Sequence, residues 1–150
     1  MVSISTLLLR NLYNTILGVD ITNESWYIIC IVKREKNMTV AITKKFEKIT
    51  DGIHNMIAAA NYDYSKFLDN ERMHKEFAEG WSINEGTKYI KLVSKNSCWG
   101  FVVNTENDKK FKKGDLLKSA GYNKPARNAA RGNVLDGGFK IEWTGPQYLV

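Results

Sequence analysis

The run Leu116-Leu-Lys-Ser-Ala-Gly-Tyr-Asn-Lys-Pro-Ala-Arg-Asn-Ala-Ala-Arg131 has the residue types and spacing of a DNA-reading helix-turn-helix. In that reading residues 114–120 form a first helix with Leu116, Leu117 and Ala120 turned inward. Gly121 supplies a positive-φ turn, and Tyr122 seats it. Asn123 caps a second helix over 125–131, which Pro125 can enter because a first-turn N–H has no intrahelical partner to lose. Lys124, Arg127, Asn128 and Arg131 then face outward, and arginine and asparagine are the side chains that pair bidentately with guanine and adenine edges. Lys109, Lys110, Lys112, Lys113 and Lys118 are assigned to phosphates. The second helix is short, stops at Gly132 and lacks a large apolar anchor, so an ordinary pair of surface helices around a glycine turn stays open beside this reading.

Other constellations are thinner. Lys112-Lys113-Gly114-Asp115 and Ala130-Arg131-Gly132-Asn133 offer glycine and charge to a nucleotide phosphate, yet neither matches GxxxxGK[ST] or GxGxxG, and solvated loops explain them as well. Asp51 with His54, and Glu71 with His74, set an acid and a histidine three apart on one helical face. A carboxylate di-metal site needs two further glutamates from separate helices, so no metal is assigned. Cys30 and Cys98 belong to no CxxC or Cys/His cluster, and Asp20 has no companion carboxylate. Tyr62, Tyr64, Trp81, Tyr89, Trp99, Phe101, Tyr122 and Trp143 offer rings for stacking on single strands, with most of them expected in the core. With no triad, dyad or metal cluster, the chain reads as non-enzymatic and implies no cofactor.

These residues need a scaffold, and 150 residues with 43% hydrophobic and 25% charged side chains fit one domain spanning 1–150. Two cysteines and two prolines exclude a disulfide-stapled miniprotein and a low-complexity chain. Charge is unevenly placed: residues 1–86 carry a net −1, whereas the basic half 87–150 holds 12 Lys and Arg against 5 Asp and Glu, a net +7. Such an excess draws polyanions, although lysine runs also serve as plain solvated surface.

The periodicities predict an α+β fold. Ile4, Leu7, Leu8, Leu12 and Ile16 suit an amphipathic helix; 26–32 and 38–42 suit a hairpin; 49–60 and 64–78 suit a central pair of helices stopped by Gly80. After a soft break near 80–87, the runs 89–93 and 99–103 suit a second hairpin, and 139–143 a closing strand that could act as a wing. The start lacks a basic leader and its apolar run breaks at Arg10, so no membrane insertion is expected, and the two isolated cysteines suit a reducing cytoplasm.

Lys110-Phe-Lys-Lys-Gly-Asp115, Pro125-Ala-Arg-Asn-Ala-Ala-Arg-Gly-Asn133 and Trp143-Thr-Gly-Pro146 resemble a group of small, largely uncharacterised proteins of tailed bacteriophages, over the last third to half of the chain. The resemblance implies an accessory phage protein acting in the host bacterial cytoplasm, and it supplies no activity or catalytic residue. The expectation is therefore a small basic phage protein that binds nucleic acid, duplex DNA first, through its C-terminal half. The alternative is an inhibitor of a host or defence protein, or a protein that sequesters a nucleotide signal, without nucleic-acid binding.

Overall fold

The computed structural model describes residues 39–149. The expected N-terminal helix, the strand over 26–32, Asp20 and Cys30 lie outside them. The described chain is α+β. Strand β1 (Val40–Ile42) leads to helices α1 (Ile49–Phe67) and α2 (Glu71–Glu79), and nine strands follow. These are β2 (Trp81–Glu85), β3 (Tyr89–Ser94), β4 (Ser97–Val103), β5 (Asp115–Leu117), β6 (Ser119–Gly121), β7 (Lys124–Pro125), β8 (Gly132–Asn133), β9 (Phe139–Glu142) and β10 (Gly145–Pro146). They form an antiparallel sheet in the order β2-β3-β4-β5-β8, a smaller one in the order β1-β9-β10, and a separate β6-β7 hairpin.

Helix α1 is buried along most of its length because its middle is Met56-Ile-Ala-Ala-Ala60, whose small side chains let both sheets approach. One apolar cluster joins Ile53, Met56 and Ile57 of α1 to Val40 and Ile42 of β1, Ile90 and Leu92 of β3, Val102, Leu116 and Ile141. Asn61 and Asp63, polar residues in mid-helix, stay helical because each holds another element. Asn61 Oδ1 accepts from Trp81 Nε1 at 2.8 Å, and Asp63 Oδ2 accepts the Trp143 N–H at 2.9 Å. The break between the two helices accordingly falls at 68–70, later than the periodicity predicts, where Asn70 caps α2 by accepting the Met73 N–H at 3.2 Å.

The predicted hairpin over 89–93 and 99–103 forms as β3 and β4, with Lys95 at φ 54° in its tip. The closing strand forms as β9, in antiparallel register with β1. The helix-turn-helix does not form. Leu116 and Leu117 alternate: Leu116 enters the main cluster, while Leu117 points to the opposite face with Phe101, Val103 and Phe111. The backbone after the 122–123 turn runs back alongside 115–119, paired as sheet at Lys124–Pro125 and Gly132–Asn133, with 126–131 an irregular loop between them. Pro125 lies opposite Ser119, Ala126 N donates to Lys118 O, and Arg131 N donates to Leu116 O. Those N–H groups are taken by carbonyls of the neighbouring segment, so they are not available for helical hydrogen bonds.

Candidate nucleic-acid interface

The second face of the larger sheet carries the site. Ile90 and Leu92 face the main core, so Tyr89 and Lys91 turn the other way, two residues apart and about 7 Å along the strand. A loop over 104–114 folds onto Tyr89. The Asp108 carboxylate starts it by accepting the N–H groups of Lys110 at 2.9 Å and Phe111 at 3.1 Å, and the buried Phe111 ring pins it to Phe101 and Leu117. From the loop between β7 and β8 Arg127 reaches across. Its guanidinium donates to both Asp108 oxygens, at 2.8 and 2.9 Å, and to the Tyr89 hydroxyl, and it stands 5.0 Å from the Phe111 ring centroid. Lys110 Nζ donates to the Arg127 carbonyl at 2.8 Å, and Lys88 Nζ lies 3.9 Å from Asp108. A cavity of about 490 Å³ opens between Thr87, Lys88, Thr105, Asn107, Lys109 and the Asp108–Arg127 pair.

One step along β3 the second half of the face is built in the same way. Lys91 Nζ donates to Asn123 Oδ1 at 2.7 Å and sits 3.7 Å from the centroid of Tyr122. Tyr122 and Asn123 are the tip of the β6-β7 hairpin, with Lys124 exposed beside them.

The electrostatics favour an anion. Hydrogen bonds from Arg127, then from the Lys110 and Phe111 N–H groups, hold the Asp108 carboxyl well below the usual carboxylate range, and Asp108 in turn pushes Arg127 further up. The Asp108 side chain is only 1% exposed, whereas Lys88 is 57% and Arg127 37% exposed. Among the described residues, the one carboxylate in contact with Lys88 and Arg127 is thus covered while both cations face solvent.

The structure separates the residues that the sequence grouped. Lys109, Lys110 and Arg127 come together around Asp108, and Lys124 stands on the hairpin over the same face. The others are engaged elsewhere. Lys112 pairs with Asp136, which raises its pKa. Lys113 is half-buried, its carbonyl accepting from Asn133 at 3.0 Å. Lys118 Nζ donates to the Pro146 carbonyl at 2.8 Å and stacks 3.8 Å from Tyr148; burial, then the Arg131 charge, lowers its pKa. Arg131 donates to the Ala129 carbonyl at 2.7 Å and to Asn128 Oδ1 at 3.3 Å, so these two residues satisfy one another where base contacts were expected.

Lys88, Tyr89 and Lys91 belong to the face and escape a reading that treats 89–93 only as a strand; the signal was the lysine alternating with apolar residues in YIKLV. The acid–histidine pairs do not assemble. His74 is buried with Nε2 bonded to the Leu68 carbonyl, and burial lowers the pKa of His54 against the pull of Asp51. Among the described residues no three His, Cys, Asp or Glu converge on a metal position, and no helix is long and apolar enough to cross a membrane. The glycine loops are structural: Gly114, at φ 90°, turns the chain into β5, and Asn133 beside it bridges the Lys113 carbonyl and Asp115. Comparison of the chain with protein-family models, with curated proteins and with solved structures finds no match.

Proposed function

We propose that this chain is a non-enzymatic accessory protein, of the phage type its C-terminal motifs resemble, that binds nucleic acid through the β3 face of its larger sheet. One observation carries the reading: Lys88, Lys91, Lys109, Lys110, Lys124 and Arg127 gather on one face whose only contacting carboxylate among the described residues, Asp108, is covered. Binding then works by neutralising phosphates and releasing counterions, with no recognition helix in a groove. Fluorescence anisotropy with labelled single-stranded DNA, RNA and duplex DNA, at low and near-physiological salt, tests it. Affinity that falls steeply with salt supports the proposal, and absence of binding to all three removes it.

A protein partner is the second reading. It draws on an aromatic cleft of about 490 Å³ between the helical pair and the β3-β4 turn, edged by Phe67, Leu68, Met73, Cys98 and Trp143, with Phe67 55% exposed. A pull-down from nuclease-treated host lysate that retains a partner, together with no nucleic-acid affinity, favours this reading.

A further inference from the structure

We infer that the nucleic acid this face takes is single-stranded, with Tyr122 as its base-stacking platform; the inference rests on the nucleic-acid reading above. Tyr122 is 54% exposed at a hairpin tip, although an aromatic ring without a packing role is more often inside. It is also held in place. Lys91 Nζ lies 3.7 Å from its centroid and the same ammonium bonds Asn123 at 2.7 Å, so a cation fixes the ring on the sheet side. An exposed ring flanked by lysine offers a base a π-surface and its phosphate a counter-charge, the pairing that sequence-tolerant single-strand binders use.

Duplex bases are already stacked and present only their edges, so a lone exposed ring gains nothing from them. Residues 81–149 also contain no helix to lie in a groove, which leaves a duplex only the short β6-β7 hairpin to admit. The platform is continuous with the cationic cluster. Lys91 beneath Tyr122 and Tyr89 beneath Arg127 share one face of β3, about 7 Å apart, so a strand stacked on Tyr122 runs on toward Lys88, Lys109 and Arg127.

The test compares wild type, Tyr122→Ala and Tyr122→Phe on labelled oligo-dT, the same oligomer in RNA form, and a duplex of equal length. Thermal melts check that each variant is folded. Tyr122→Ala should lose about 5- to 150-fold in single-strand affinity, Tyr122→Phe should retain it, and duplex affinity should move less than about twofold. Unchanged single-strand affinity in Tyr122→Ala, or an equal loss on the duplex, overturns the stacking inference and leaves nucleic-acid binding standing. Failure of the wild type to bind any of the three removes both.

Discussion

Replacing Lys88 and Lys109 together by glutamine tests the electrostatic argument most directly, because both line the cavity beside Asp108 and Arg127 and neither holds the fold. Lys88 makes a 3.9 Å contact with Asp108 and lies 5.5 Å from the Tyr89 ring centroid, with its side chain 57% exposed, and Lys109 is exposed. Six cations on the face, each neutralising one phosphate of a single strand, give a slope of log affinity on log salt of about −4, at roughly 0.7 per phosphate. Removing two should reduce it to about −3. Between 50 and 200 mM salt the wild type then loses roughly 300-fold in affinity and the double variant roughly 50-fold. Anisotropy titrations at four or more salt concentrations read both slopes. Identical slopes would refute the placement of this face on phosphate, and a wild-type slope near zero would refute counterion release altogether. Arg131→Ala is a poor probe by comparison, since its side chain bonds Asn128 and Ala129 and its Nε is buried.

Other perturbations report on the supports of the face. Asp63→Ala should cost about 1–3 kcal/mol in urea unfolding by orphaning the Trp143 N–H, whereas Asp63→Asn keeps an acceptor and should cost less. Burial raises the Asp63 pKa, so the folded state binds more protons than the unfolded one just above the ordinary carboxylate value; wild-type stability should fall as pH rises through that window, and Asp63→Asn should lack the fall. Asp108 has the opposite sign. Its depressed pKa gives stability that is present above the unfolded value of 3.8 and lost as pH drops below it, so the urea midpoints of wild type and Asp108→Asn should differ at pH 7 and converge in acid. Asn133→Ala removes two donated and two accepted bonds at a buried position and should destabilise by about 3 kcal/mol or more, read as a fall in Tm; a change under about 1 kcal/mol would contradict the network.

The parts of the fold visible in the sequence were those whose period had one reading. Helix α1 repeats its apolar residues long enough to exclude a strand, and the β3-β4 hairpin shows two β-branched runs around a polar turn. Leu116-Leu117 is too short to decide. Two adjacent leucines fit a helix turned inward, and equally a strand buried on both faces, which is what β5 is. The alanines of 126–130 add helix propensity, but long-range partners take their backbone groups: Ala126 N bonds Lys118 O, and Ala130 packs against the cluster under Phe111. The basic character of the half-chain was legible from counting. Which cations share a face was not, because that depends on Asp108 and Phe111 folding the 104–114 loop over Tyr89.

The covered Asp108 explains how a basic surface can also be an ordered one. Six cations brought together without a counter-charge repel one another, and a free arginine loses side-chain entropy on meeting a phosphate. Asp108 addresses both costs. It binds Arg127 bidentately, it accepts two backbone N–H groups of its own loop, and it lies within 3.9 Å of Lys88, so one carboxylate fixes the loop, the arginine and the local charge balance together. The consequence is a division of labour. On the proposed reading Arg127, held by Asp108 and Tyr89 yet 37% exposed, meets its phosphate already positioned, while the exposed Lys88, Lys109 and Lys124 meet theirs without such a hold. Arg127→Lys, which keeps the charge but not the two-pronged bond, should therefore weaken binding by loosening the loop and leave the salt slope unchanged, the reverse of the pattern expected for the Lys88 and Lys109 pair.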